Sequence, residues 1–128
     1  MNLLLDTRVL LWAAGEPDKL SDATRALLLD EANRLFFSVA SIWEVVIKRG
    51  LERHDFRVDP ARLRRLLVMN GYGEVALTSD HALAVGGLPA LHRDPFDRIL
   101  VAQARVEGMR LVTADAQIAQ YGEGILRP

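Results

Sequence analysis

MNLLLDTRVLLWAAGE, residues 1–16, decides the fold. Leu3-Leu4-Leu5 is an unbroken apolar run, the kind carried by a strand buried on both faces, whereas a strand with one wet face alternates. Asp6 ends the run, and residues 7–14 continue as a helix closed by Gly15 and Pro17. Asp6 and Arg8 interrupt the apolar stretch and no cationic leader precedes it, so it reads as neither signal peptide nor membrane span. A buried strand followed by a helix is the expectation.

The same pattern recurs along the chain. Ser21 caps a helix to about residue 33, with Ala23, Ala26, Leu27 and Leu28 toward the core. Residues 35–39 form the next strand, and Ser41 opens a helix carrying Ile42, Trp43, Val45, Val46 and Ile47. Asp59-Pro60, a capping side chain and then proline at the first helical position, starts a helix reaching Asn70 and stopped by Gly71. Residues 75–77 give a weak third strand, after which Ser79 or Asp80 caps a short helix toward the Gly86-Gly87 turn. Asp94-Pro95 repeats the start signal for a helix to Glu107, ended by Gly108. Residues 110–113 form the last full strand, Asp115 opens a short helix to Tyr121, and residues 124–126 add an edge strand. Strands alternating with helices predict an α/β fold with right-handed crossovers and a parallel sheet of four to five strands, covered on both faces.

The 128 residues, half of them hydrophobic, suit a single domain over residues 1–128, which buries roughly two-thirds of its unfolded surface. The net charge of −1 conceals a division: residues 48–65 carry seven basic and three acidic side chains, whereas acids outnumber bases on either side. Fourteen of the sixteen cations are Arg, whose planar fork suits phosphate, although each is equally compatible with a solvated helix face. The absence of cysteine excludes disulfides and thiolate metal sites and is compatible with the cytoplasm.

Four acids, Asp6, Glu44, Asp97 and Asp115, each stand just past an apolar run or in the first turns of an expected helix. Each has an ordinary structural role available. Asp6 and Asp115 could be N-caps, and Ser41-Ile42-Trp43-Glu44 has the form of a capping box in which Glu44 reaches back to Ser41. In HRDPFDRIL, Asp94 takes the cap, which leaves Asp97 freer to act as a ligand. Thr113 could place its hydroxyl beside the same site or fill the sheet, and the second role is preferred. The four together carry more weight than any one, because the strand ends of a parallel sheet open onto one edge. Carboxylates gathered there repel at roughly 4 kcal/mol per ionised pair at 4 Å and an effective dielectric near 20, unless a cation joins them. Mg²⁺ or Mn²⁺ accepts such oxygen ligands, and phosphodiester hydrolysis by a metal-activated water needs no protein nucleophile. His54, His81 and His92 lack metal-ligand spacing to one another and read as surface or capping residues, and Trp12, Trp43 and Phe96 read as core.

LLLDTRVLLW, SVASIWEVVIK, HRDPFDRILVAQA and LVTAD together resemble the PIN-domain ribonucleases, and closely the VapC toxins of toxin–antitoxin pairs, in order and spacing over nearly the whole chain. The resemblance implies a three-layer α/β/α sandwich and Mg²⁺- or Mn²⁺-dependent endonucleolytic cleavage of RNA. It matches Asp6, Glu44, Asp97 and Asp115 to the acidic metal site, with Asp94 as an additional nearby acid; Ser41 and Thr113 are our candidates for the supporting side chains behind them. It further implies a homodimer inhibited by a small cognate antitoxin. Arg49, Arg53 and Arg57 are the candidates for holding RNA. Arg8 departs from the His often found after LDT, and residues 51–57 are the least familiar part.

Other function classes fit less well. A phosphorylated receiver domain needs a Lys near its last strands, and the lysines here are Lys19 and Lys48. A haloacid-dehalogenase-type phosphatase needs an Asp two residues after Asp6, where Arg8 stands. A non-catalytic binding module of the same fold, or a nuclease of RNA processing rather than a toxin, are the alternatives.

Overall fold

The computed structural model describes residues 1–50 and 58–128. Five strands among the described residues form one sheet in the order β3-β2-β1-β4-β5. These are β1 (Asn2–Leu5), β2 (Arg34–Ser38), β3 (Gly73–Val75), β4 (Arg110–Val112) and β5 (Ile125–Leu126). All neighbours pair parallel. The β1 strand lies at the centre, and its Leu3, Leu4 and Leu5 are fully buried because each faces one of two cores.

The two-residue period of the strands divides the apolar side chains cleanly. Leu3, Leu5, Phe37 and Val112 pack with Val9 and Leu10 of α1 (Thr7–Gly15), Val45 of α3 (Val39–Gly50), and Leu63 and Leu67 of α4 (Pro60–Met69). Leu4, Val75 and Leu111 pack on the other face with Leu100, Val101 and Ala104 of α6 (Pro95–Glu107) and Ile118 of α7 (Ala116–Ala119). This is the expected three-layer α/β/α sandwich. α2 (Asp22–Leu29) and α5 (Ser79–Val85) complete the α-helices among the described residues, none of which is long and apolar enough to cross a membrane.

From β1 the chain steps outward through β2 to β3, then returns across the sheet to place β4 on the other side of β1. The strand order therefore reverses between β1 and β4, the kind of switch point where open α/β sheets place a crevice beyond the carboxyl ends of the strands. Asp6 and Thr113 are the first residues beyond them, and the Asp6 N–H still donates to Val112 O at 3.0 Å.

Several local expectations need correction. The helix after β2 begins at Val39 rather than Ser41, because Ser38 Oγ accepts the Ala40 N–H at 2.9 Å. The Ser41–Glu44 capping box therefore does not form. The second helix stops at Leu29, well short of residue 33, where Asp30 Oδ1 turns the chain by accepting the Ala32 N–H. Thr78 caps α5 in place of Ser79 or Asp80, with His81 completing a capping box. β3 lies two residues earlier than predicted, at Gly73–Val75. Trp43 is not core but 56% exposed, touching Phe96 edge to face at 5.3 Å between ring centroids.

Candidate metal centre

Asp6 is held from both sides. Its backbone is extended, and Oδ1 accepts the Val9 N–H at 2.8 Å, so it is the N-cap of α1 as the local sequence allows. Oδ2 accepts the Thr113 hydroxyl at 2.5 Å, so that buried side chain, besides filling the sheet, meets the Asp6 carboxylate. Thr113 Oγ1 in turn accepts the Asp115 N–H at 3.0 Å, linking the acids that follow β1 and β4. Burial pushes the Asp6 carboxyl up to about 6; its hydrogen bonds to Thr113 and Val9 oppose the rise, and repulsion from Asp97 and Asp115 adds to it.

Glu44 enters from α3, only 3% exposed. The helix is pinned beside Asp6 by Thr7, whose hydroxyl donates to Ser41 Oγ at 2.9 Å in a buried contact. Glu44 Oε2 pairs with Lys48 Nζ at 2.6 Å. Oε1 is buried without a hydrogen-bond partner. A carboxylate oxygen removed from water and left unpaired is costly, and a cation is the group that would satisfy it.

Asp94 caps α6 as expected, its Oδ1 accepting from the Phe96 and Asp97 N–H groups at 2.9 and 3.4 Å. The Asp97 carboxylate is thus not used in the cap, and Oδ2 meets His92 Nε2 at 2.6 Å. Burial raises Asp97 to about 6; the His92 hydrogen bond opposes the rise, while Asp94 and Glu44 add to it by repulsion. Asp115 caps α7 through the Gln117 N–H at 2.8 Å. One ring nitrogen of His92 and one oxygen each of Asp97 and Asp115 lie within 4.8 Å of one another.

Asp97 and Asp115 therefore gather with His92 within 4.8 Å, Asp6 lies close enough to both acids to feel their repulsion, and Asp97 feels that of Asp94 and Glu44 in the same way. Capping and convergence are not alternatives here, since Asp6 and Asp115 do both. The donor set is dominated by carboxylate oxygen, which suits a hard divalent cation, and the orphaned Glu44 Oε1 together with two carboxyls raised by burial fits such an ion. Among the RNA-binding candidates, Arg49 lies at the end of α3, 3.5 Å from Asp59 in an exposed ion pair, and Arg53 and Arg57 lie outside the described residues. Spacing between histidines gives no hint of His92, because its neighbours at the site are carboxylates. The signal in the sequence is its position two residues before a cap and five before Asp97.

Over 120 residues the chain is 28% identical to ribonuclease VapC22 of Mycobacterium tuberculosis, covering 93% of this chain and 91% of that protein. Its fold is similar to that of a chain in VapBC2 from Rickettsia felis, solved bound to a DNA fragment from its promoter. The TM-score is 0.68 at 15% identity, with 98% of this chain and 96% of that chain covered. A toxin–antitoxin complex from Klebsiella pneumoniae gives a TM-score of 0.64 at 17% identity, covering 97% and 95% respectively. The PIN-domain model matches residues 3–124, and the chain belongs to the PIN-domain family.

Proposed function

We propose that residues 1–128 act as one domain, a Mg²⁺- or Mn²⁺-dependent endoribonuclease that is the toxin of a toxin–antitoxin pair. The observation that carries the reading is the crowding of acids at the β1 and β4 strand ends: ligand atoms of Asp97, Asp115 and His92 lie within 4.8 Å of one another, Asp6, raised by burial, is raised further by repulsion from both acids, and Glu44, which repels Asp97, keeps a buried, unpartnered carboxylate oxygen. The likeness to a named ribonuclease supports RNA as substrate, and the likeness to chains of toxin–antitoxin complexes supports a cognate antitoxin. Trp43, Val46 and Ile47, exposed together on α3, support burial against a second copy in a homodimer. RNA and antitoxin would both be met in the cytoplasm.

When bound, the divalent ion supplies Lewis acidity at the scissile phosphate and acidifies water. Asp6, Glu44, Asp97 and Asp115 would hold it. Thr113 and the Val9 N–H fix both oxygens of Asp6, so that carboxylate does not have to be ordered when ligands arrive. Lys48 fixes Glu44 Oε2 and leaves Oε1 to the site. Arg49, Arg53 and Arg57 would hold the RNA backbone, countering the repulsion between an acidic pocket and a polyanion.

The test is cleavage of RNA with Mg²⁺ or Mn²⁺, with and without chelator, by wild type and Asp97→Asn. Chelator and Asp97→Asn should each abolish cleavage while circular dichroism stays unchanged. Cleavage by Asp97→Asn at the wild-type rate, or undiminished by chelator, would overturn the reading.

A further inference from the structure

His92 is the nitrogen donor in an otherwise all-oxygen cluster, and the fold fastens it there. Arg98, one residue past Asp97 on α6, donates from Nη1 to Pro89 O at 3.0 Å, to Tyr121 Oη at 3.1 Å and to His92 O at 3.4 Å. Its Nη2 donates to Val85 O at 3.2 Å. The loop that presents His92 is thereby tied to the helix that presents Asp97. The ring is mostly buried, with 15% of the side chain exposed, and lines an open cleft of about 450 Å³ with Ala90, Leu91, Arg93 and Gln117.

Side chains that share one divalent ion at bond lengths near about 2.1 Å bring their ligand atoms within roughly 4 Å of one another. The nitrogen of His92 and the oxygens of Asp97 and Asp115, all within 4.8 Å, are near enough to share an ion after small side-chain adjustments. Independently, Glu44, which lies close enough to Asp97 to repel it, leaves Oε1 buried and unpartnered. Resting on the metal site proposed above, we infer that His92 ligates the cation directly with Asp97 and Asp115, making the site a mixed nitrogen–oxygen one that favours Mn²⁺ over Mg²⁺. The preference follows from donor chemistry, because imidazole binds transition ions well whereas Mg²⁺ prefers oxygen and water.

Pulsed EPR of the Mn²⁺-loaded protein tests this without reference to catalysis. Wild type should show nitrogen modulation from bound imidazole, which should change when the protein is labelled with ¹⁵N-histidine and vanish in His92→Gln. By titration, His92→Gln should lower Mn²⁺ affinity by at least roughly tenfold, the lower end of what is lost when even a ligand-orienting group is removed, and Mg²⁺ affinity much less. Mn²⁺ bound without nitrogen modulation in wild type overturns the ligand assignment and leaves the acidic metal site standing. So does modulation surviving in His92→Gln, or an equal loss for both ions, which would mark His92 as only orienting Asp97. No Mn²⁺ binding at all, in a wild type that folds, overturns the metal site as well.

Discussion

Asp6 ties the stability of the metal-free protein to pH, and a bound cation should erase the link. Its carboxyl is raised from 3.8 to about 6, chiefly by burial, so the folded state holds this proton more tightly than the unfolded chain does. A group raised on folding contributes stability that is complete below the unfolded pKa, about 4, and lost as pH climbs through the folded value, about 6. Two units or so at about 1.36 kcal/mol each make the loss between about pH 4 and pH 8 about 3 kcal/mol. Asp97 is raised similarly and repels Asp6, so the two titrate as a pair and their losses are not summed. Urea unfolding in chelator across this range, followed by Trp12 and Trp43 fluorescence, measures the slope. Asp6→Asn keeps a good cap and should flatten the fall by about that amount. Saturating Mg²⁺ at about a hundred times its dissociation constant should return about 2.7 kcal/mol to wild type at high pH, and much less to the variant. Parallel pH profiles for the two metal-free proteins would refute a desolvated Asp6, and with it the crowded pocket.

Thr113→Val removes the hydroxyl from Asp6 Oδ2 and should weaken Mg²⁺ binding roughly tenfold or more, as loss of a ligand's supporting hydrogen bond does; calorimetric titration reads this, and unchanged affinity would return Thr113 to a sheet-filling role. Asp94→Asn should retain the α6 cap and most RNA cleavage, and a loss as deep as that of Asp97→Asn in the same assay would move Asp94 into the ligand set. Neutralising Arg49, Arg53 and Arg57 together should weaken binding of a non-cleavable RNA and flatten the log–log salt slope by about 0.7 for each phosphate that the protein no longer neutralises. Breaking the exposed Arg49–Asp59 pair should cost under about 1 kcal/mol of stability, so an unchanged slope in a folded triple variant would send the RNA elsewhere.

The central strand and the acids beyond the strand ends were legible because both follow from local chemistry: an unbroken leucine run has to be buried, and an acid after it has a cap to make. What was not legible depended on contacts that the local residue pattern does not announce, some of them distant in sequence. The weak strand expected at residues 75–77 begins instead at Gly73, which pairs with Phe36 of β2 so closely that an added Cβ would stand 2.5 Å from the Phe36 ring. Trp43 sits at a helical spacing that suits a core, but α3 turns it outward to meet Phe96 edge to face. Glu44 matched the family's site while its local signal pointed to a cap, and only the true helix start at Val39 freed it from that role. His92 had little local signal of its own; its meaning comes from a loop folded back by Arg98.

The hydrogen bond from Thr113 to Asp6 spans 107 positions of sequence, a separation that matters while the chain is being made. β1 leaves the ribosome long before β4, which is one of its two neighbours in the sheet, so the crevice between them cannot exist until translation has passed Val112. At roughly 5–20 residues per second, every nascent or prematurely ended product shorter than that lacks one wall of the pocket. Synthesis interrupted before β4 would therefore yield no complete pocket, which would close only once that strand had been released to pair with β1.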